Sequence, residues 1–173
     1  KDSMSGSFED LDVPPTLVSF AVTTGHTDEV ITPEFKKAGH KLVLLAPGYD
    51  ENKLPVTASL TSLYSKVTEL MRQGKVYAAY TPTYGGIAEA VYKMAIGNGF
   101  GFAYDASMTL DEIFGYNYGA FLLEVDSDVE GKLVGTVTEE KTIVYGDTSL
   151  CMKALDSLYE NKLEGVYPML EKE

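Results

Sequence analysis

The stretch AAYTPTYGGIAEAVYKMAIGNGFG, residues 78–101, decides how this chain is read. It opens as a short apolar strand, stops at Pro82, turns on Gly85-Gly86 and runs straight into a helix. Ile87, Ala90, Val91, Met94 and Ala95 recur there at three- and four-residue spacing, and Gly97-Asn98-Gly99 closes the helix. Backbone N–H groups at a helix start carry about half a positive charge and can hold an anion without any side chain. Gly85 and Gly86 would let a phosphate approach the N–H groups of Gly86 and Ile87, and Thr81 and Thr83 add hydroxyls. The turn carries no Asp, Lys, Arg or His, and neither the Gly-Lys-Ser/Thr of a P-loop nor a spaced third glycine follows. Three readings stand: a phosphate or nucleotide site, a site that has lost its chemistry, and a tight connection.

On either side, strands and helices alternate. Residues 1–12 are polar, rich in Ser and Gly, and predict a loose arm, while Val13-Pro14-Pro15 is extended and residues 16–23 read as a strand. A polar connection over 24–39 leads to the apolar run 41–46, which predicts a strand buried on both faces. Residues 57–73 give the clearest helix, with Leu60, Leu63, Tyr64, Val67, Leu70 and Met71 on one face and Gly74 at its end. Residues 76–80 and 101–104 are short strands, and Thr109 and Glu112 have the spacing of a capping box. Residues 120–125, 133–138 and 142–145 are strand candidates. Asp147 or Thr148 is placed to cap a last helix striped by Leu150, Cys151, Ala154, Leu155 and Leu158. The fold class is α/β (α+β), a mixed β-sheet covered by helices.

The 173 residues suffice for one domain with a real core. A net charge of −12 argues against nucleic acid and anionic membranes as partners, and no run reaches the roughly 20 apolar residues of a membrane helix. No leader is visible, so the cytoplasm is expected. Cys151, the single cysteine, falls on an apolar stripe and reads as a buried thiol. His26 and His40 lack a second ligand at metal spacing, so no metal site is expected. Asp10, Asp12, Asp28 and Glu29 read as solvated loop acids, and Phe114, Tyr116, Tyr118 and Phe121 as core and sheet residues. No catalytic residue is identified.

The opening KDSMSGSFEDLDVPPTLVSFAVTT resembles phosphoribosylformylglycinamidine synthase, whose family carries Gly-Gly-Lys-Asp-Ser-Met-Ser ahead of a Pro-Pro-Thr-Leu strand. Lys1, Asp2, Ser3, Met4 and Ser5 match that motif, and the later runs TDEVITPEFKKAGHKLVLLAP and EIFGYNYGAFLLEV resemble the C-terminal subdomain of a synthetase half. Related hydrogenase-maturation and selenophosphate synthetases match Lys1–Ser5 and Val13–Thr16 less well.

The resemblance implies an aminoimidazole ribonucleotide synthetase C-terminal-domain-like fold. It also implies a division into 1–23, the tail of a preceding subdomain, and 24–173, the C-terminal subdomain of the second half in a large single-chain enzyme. The implied whole enzyme is a ligase of purine biosynthesis that uses ATP, Mg and glutamine. Its partners would be the remaining synthetase subdomains and the glutaminase domain of the same polypeptide, with self-association of an isolated fragment. The implied phosphate- or nucleotide-binding residues are Lys1, Asp2, Ser3, Thr81, Thr83, Gly85, Gly86 and Ile87. Many relatives read His-Asp-x-Ser-Asp-Gly-Gly-Leu at the turn. Thr81 replaces the first acid and Thr83 the serine, which removes a magnesium ligand and keeps a phosphate donor. The fragment alone is expected to be inactive, and the alternative is an assembly module that binds no ligand.

Overall fold

A computed structural model describes residues 3–168 and divides the chain into two units, Lys1–Val30 and Ile31–Glu173. The first unit is an antiparallel hairpin of β1 (Ser3–Phe8) and β2 (Leu11–Leu17), in register from Ser3 opposite Leu17 to Phe8 opposite Leu11, with an irregularity between Met4 and Gly6. The expected loose arm is therefore a strand, and the second strand lies earlier than 16–23, with residues 18–26 outside regular structure. Serine and glycine in β1 leave no apolar alternation to read, so its pairing rests on backbone bonds and the turn at Glu9, which adopts φ 53°.

In the second unit β3 (Lys41–Leu45) lies inside a seven-stranded sheet with β4 (Ala78–Tyr80), β5 (Gly101–Tyr104), β6 (Phe121–Val125), β7 (Lys132–Thr138), β8 (Thr142–Tyr145) and β9 (Thr148–Cys151). The order is β4-β6-β3-β7-β5-β8-β9, and every neighbouring pair is antiparallel except β5–β8. Among the described residues four α-helices complete the unit: α1 (Thr57–Arg72), α2 (Gly86–Ile96), α3 (Leu110–Ile113) and α4 (Met152–Glu160).

The continuous apolar run of β3 is explained by cover on both faces. Leu42 and Leu44 pack with Ile87, Ala90, Val91 and Met94 of α2, while Val43 and Leu45 pack with Leu63 and Val67 of α1. The capping box predicted at α3 is present, with the Thr109 hydroxyl accepting from the Glu112 N–H and the Glu112 carboxylate accepting from the Thr109 N–H.

Two expectations are corrected at the end of the chain. Residues 148–151 form β9, because Gly146, at φ 56°, turns the chain back onto β8, and the helix starts only at Met152. Cys151 thus pairs opposite Thr142 as an exposed edge residue and is not a buried thiol. Phe114, Tyr116 and Tyr118 are likewise exposed rather than core; Tyr84, Tyr116 and Tyr118 form a surface ladder with ring centroids 6.1 and 5.4 Å apart.

The polar connection 24–39 hides an anchor. Phe35 is fully buried and stacks on Phe102, and its N–H donates to the Met94 carbonyl at the end of α2. The next residues are held by Glu124, a fully buried carboxylate on β6. It accepts from the Lys36 N–H at 2.8 Å, the Lys37 N–H at 3.1 Å and His40 Nδ1 at 2.8 Å. Removing it would leave the buried His40 and two part-buried backbone N–H groups without their acceptor. Glu124→Ala should cost about 3 kcal/mol or more in urea denaturation, and Glu124→Gln less, since the amide oxygen still accepts.

Candidate functional site

The glycine turn leaves β4 through exposed Thr81, buried Pro82 and exposed Thr83. The Gly86 N–H donates to the Thr83 carbonyl at 3.0 Å, and Gly85 sits at φ −83°, ψ 7°, the third position of a type I turn with glycine following. Gly86 begins α2 at φ 66°. A Cβ there would stand 2.8 Å from the carbonyl oxygens of both Ile113 and Gly115. The second glycine is thus required twice, by its backbone conformation and by the approach of the α3 C-terminus.

Two of the three donors expected to face an open pocket, the Gly86 N–H and the Thr83 hydroxyl, have partners inside the protein. Glu89, one turn into α2, folds its carboxylate back over the helix start. Its Oε2 accepts from the Gly85 N–H at 2.9 Å and from the Thr83 hydroxyl at 3.2 Å, while Oε1 pairs with Lys93 Nζ at 2.6 Å. The bond from Lys93 chiefly, aided by those from Gly85 and Thr83 and opposed by burial, holds the Glu89 carboxyl below the usual range. An anion already lies on the positive end of the helix, and it is the protein's own.

The Ile87 side chain is fully buried in the core. Ser3 opens β1 in the separate N-terminal unit, and Lys1 and Asp2 lie outside the described residues. Beside α2 a cavity of about 230 Å³ is lined by Ile87, Met108, Glu112, Tyr116 and Lys132 among others. Its one cation, Lys132, is paired with Glu112, whose carboxyl is lowered to about 2 first by that bond and then by the Thr109 cap. Magnesium does not fit the turn: Thr81 offers a neutral hydroxyl and Glu89 is engaged with Lys93. Among the described residues no three His, Cys, Asp or Glu side chains could hold a metal ion together, and no helix is long and apolar enough to cross a membrane.

Reading for partners of the turn missed Glu89. The signal was present as an acid in the first turn of a helix that follows two glycines. Glu124 was missed too, although it is the lone charge in the apolar strand FLLEV.

No family model matches the chain. Solved structures do. Phosphoribosylformylglycinamidine synthase II of Thermotoga maritima superposes with a TM-score of 0.60 at 16% identity over 75% of this chain and 28% of that one. The T. maritima PurL complex with AMPPCP gives 0.61 at 14% identity, over 75% and 27% of the two chains. The complex with FGAR gives 0.59 at 15% identity, over 75% and 30%. The likeness is one of fold: the chain has the α/β fold of the C-terminal domain of aminoimidazole ribonucleotide synthetase-like proteins. It spans about 28% of the length of the synthetase it matches.

The geometry of Gly86 sets a test. Gly86→Ala should destabilise the protein by on the order of 2 kcal/mol, from left-handed strain and the close carbonyls, in chemical denaturation monitored by circular dichroism. Equal stability of the variant would remove the packing explanation of the glycine pair.

Proposed function

We propose that this chain is the C-terminal subdomain of the second synthetase half of a large phosphoribosylformylglycinamidine synthase, the ATP-dependent, glutamine-using amidoligase of purine synthesis. The observation that carries the reading is the fold correspondence with PurL over three quarters of the chain. The sequence motif Lys1–Ser5 with Pro14-Pro15-Thr16 supports it independently. In that reading the preceding subdomain would supply most contacts to ATP, and the glutaminase domain the nitrogen. The test is the full-length protein containing this chain, incubated with formylglycinamide ribonucleotide, glutamine and ATP. Formation of formylglycinamidine ribonucleotide with release of ADP is expected, and its absence in a folded preparation would overturn the reading. The isolated chain should release no ADP.

Within that enzyme the subdomain serves assembly more than ligand binding, and one observation favours this second reading. A phosphate reaching the turn must displace Glu89, which is tethered a few ångströms from the same donors and so competes at high effective concentration. The net charge of −12 adds repulsion. The phosphate role of Thr83, Gly85 and Gly86 is therefore latent. Inorganic phosphate should leave the melting temperature of the parent chain unchanged, whereas Glu89→Ala should lower it, by about 1 kcal/mol of stability, and make it phosphate-dependent. An equal phosphate response in both proteins would show that Glu89 does not close the site.

A further inference from the structure

A second cavity, beside α2, is larger than the one at the glycine turn. It measures about 620 Å³ and lies among α2, α3, β5, β8, β9 and α4. Ile113 and Ile143, both buried, belong to its wall, and so do Ala88, Leu155 and four tyrosines: Tyr92, Tyr104, Tyr145 and Tyr159. A volume between roughly 300 and 1,000 Å³ with an apolar, aromatic lining is the usual form of a small-molecule site.

Among the described residues no charged side chain lines the cavity itself, and the nearest acid is reached through a lining tyrosine. Tyr92 and Tyr159 pack edge to face, with centroids 5.5 Å apart, and the Tyr92 hydroxyl donates to Asp156 Oδ1 at 3.0 Å. The Tyr92 phenol is pushed up to about 12, by burial first, then by the bond to Asp156 and by the negative field of Asp156 and Glu160. Asp156 and Glu160 sit one helical turn apart on α4, and among the described residues neither has a Lys, Arg or His in ion-pair range. By contrast the Tyr145 hydroxyl is satisfied by the Met108 carbonyl at 3.0 Å. An apolar hollow thus ends at Tyr92 and Tyr159, with Asp156 bonded to the Tyr92 hydroxyl and, among the described residues, no cation in ion-pair range of Asp156 or Glu160.

We infer that this cavity binds a small organic cation, an aromatic or alkyl body carrying a quaternary or protonated amine, with the body against Ala88, Tyr104 and Leu155 and the charge against the Tyr92–Tyr159 pair and Asp156. The apolar body gains from leaving water. A cation within about 6 Å of a tyrosine face gains from the ring quadrupole, more so where water is excluded. The negative field of Asp156 and Glu160 selects against anions. The inference does not depend on the synthetase reading.

The experiment titrates the full chain with benzyltrimethylammonium, benzyl alcohol and benzenesulfonate, following backbone and tyrosine resonances by NMR. Saturable shifts at residues lining the cavity are expected with the ammonium ion, at an affinity at least tenfold above the alcohol, and none with the sulfonate. Asp156→Asn combined with Glu160→Gln should abolish the tenfold preference and keep the weak binding of benzyl alcohol. Ala88→Phe should fill the hollow and remove both; if that variant fails to fold, the doubly neutralised protein alone decides. Equal affinity for all three probes, a preference that survives neutralisation of Asp156 and Glu160, or no saturable binding of the ammonium ion would each overturn the assignment. The last outcome would leave the hollow to an apolar partner surface.

Discussion

The carboxylate of Glu124 fixes the arrangement on which the second unit depends. It stands in the interior of β6 with no exposure and gathers three donors from a segment more than 80 residues earlier in the chain. That segment has no regular secondary structure of its own to satisfy its backbone. Through Glu124 the N–H groups of Lys36 and Lys37 find acceptors, Phe35 can lie flat against Phe102, and the chain enters β3 in register. Burying an unpaired carboxylate would be costly, so the same group that stabilises this docking excludes any packing that leaves it without donors.

The glycine pair illustrates how one short sequence admits both a binding and a structural explanation. Gly-Gly before a helix satisfies the geometric demands of a phosphate cradle, and the same residues satisfy the demands of a crossing between the start of α2 and the end of α3. Distances separate the two: the space that a Cβ on Gly86 would need is held by main-chain oxygens of α3, and the charge complement of the helix start is held by Glu89. Tyr84, Tyr116 and Tyr118 then line the surface outside this junction, where a polar loop would be expected.

Much of the fold was legible where periodicity and burial agree. The stripes of α1 and α2, the two-faced run of β3 and the capping box of α3 were all readable, because each depends on residues close in sequence. β1 and β9 were not. The first has no apolar alternation, and in the second Leu150 and Cys151 fall in phase with the helix that follows, so that a turn at Gly146 outweighed a helical period. At the candidate site the backbone turn was legible and its occupant was not. Whether a carboxylate four residues on points to solvent or folds back depends on Lys93 and on the space over the helix end, and a linear pattern contains neither. Glu124 was opaque for the same reason: two of its three partners are main-chain groups, which carry no sequence signature, and the third, His40, lies 84 residues away.

The strand order has a consequence for how the molecule is made. β3 finds its two neighbours at β6 and β7, about 80 and 90 residues later, and Glu124 meets Lys36 across a similar span. Contacts so distant along the chain close late, since the loop entropy must be overcome before they contribute. During synthesis the apolar run 41–45 therefore emerges long before anything can cover it on either side, while α1 and α2 form locally. The molecule should be a slow folder with an extended interval of exposed strand edge, the circumstance in which chaperones act and in which a truncated chain ending before β6 aggregates rather than folds.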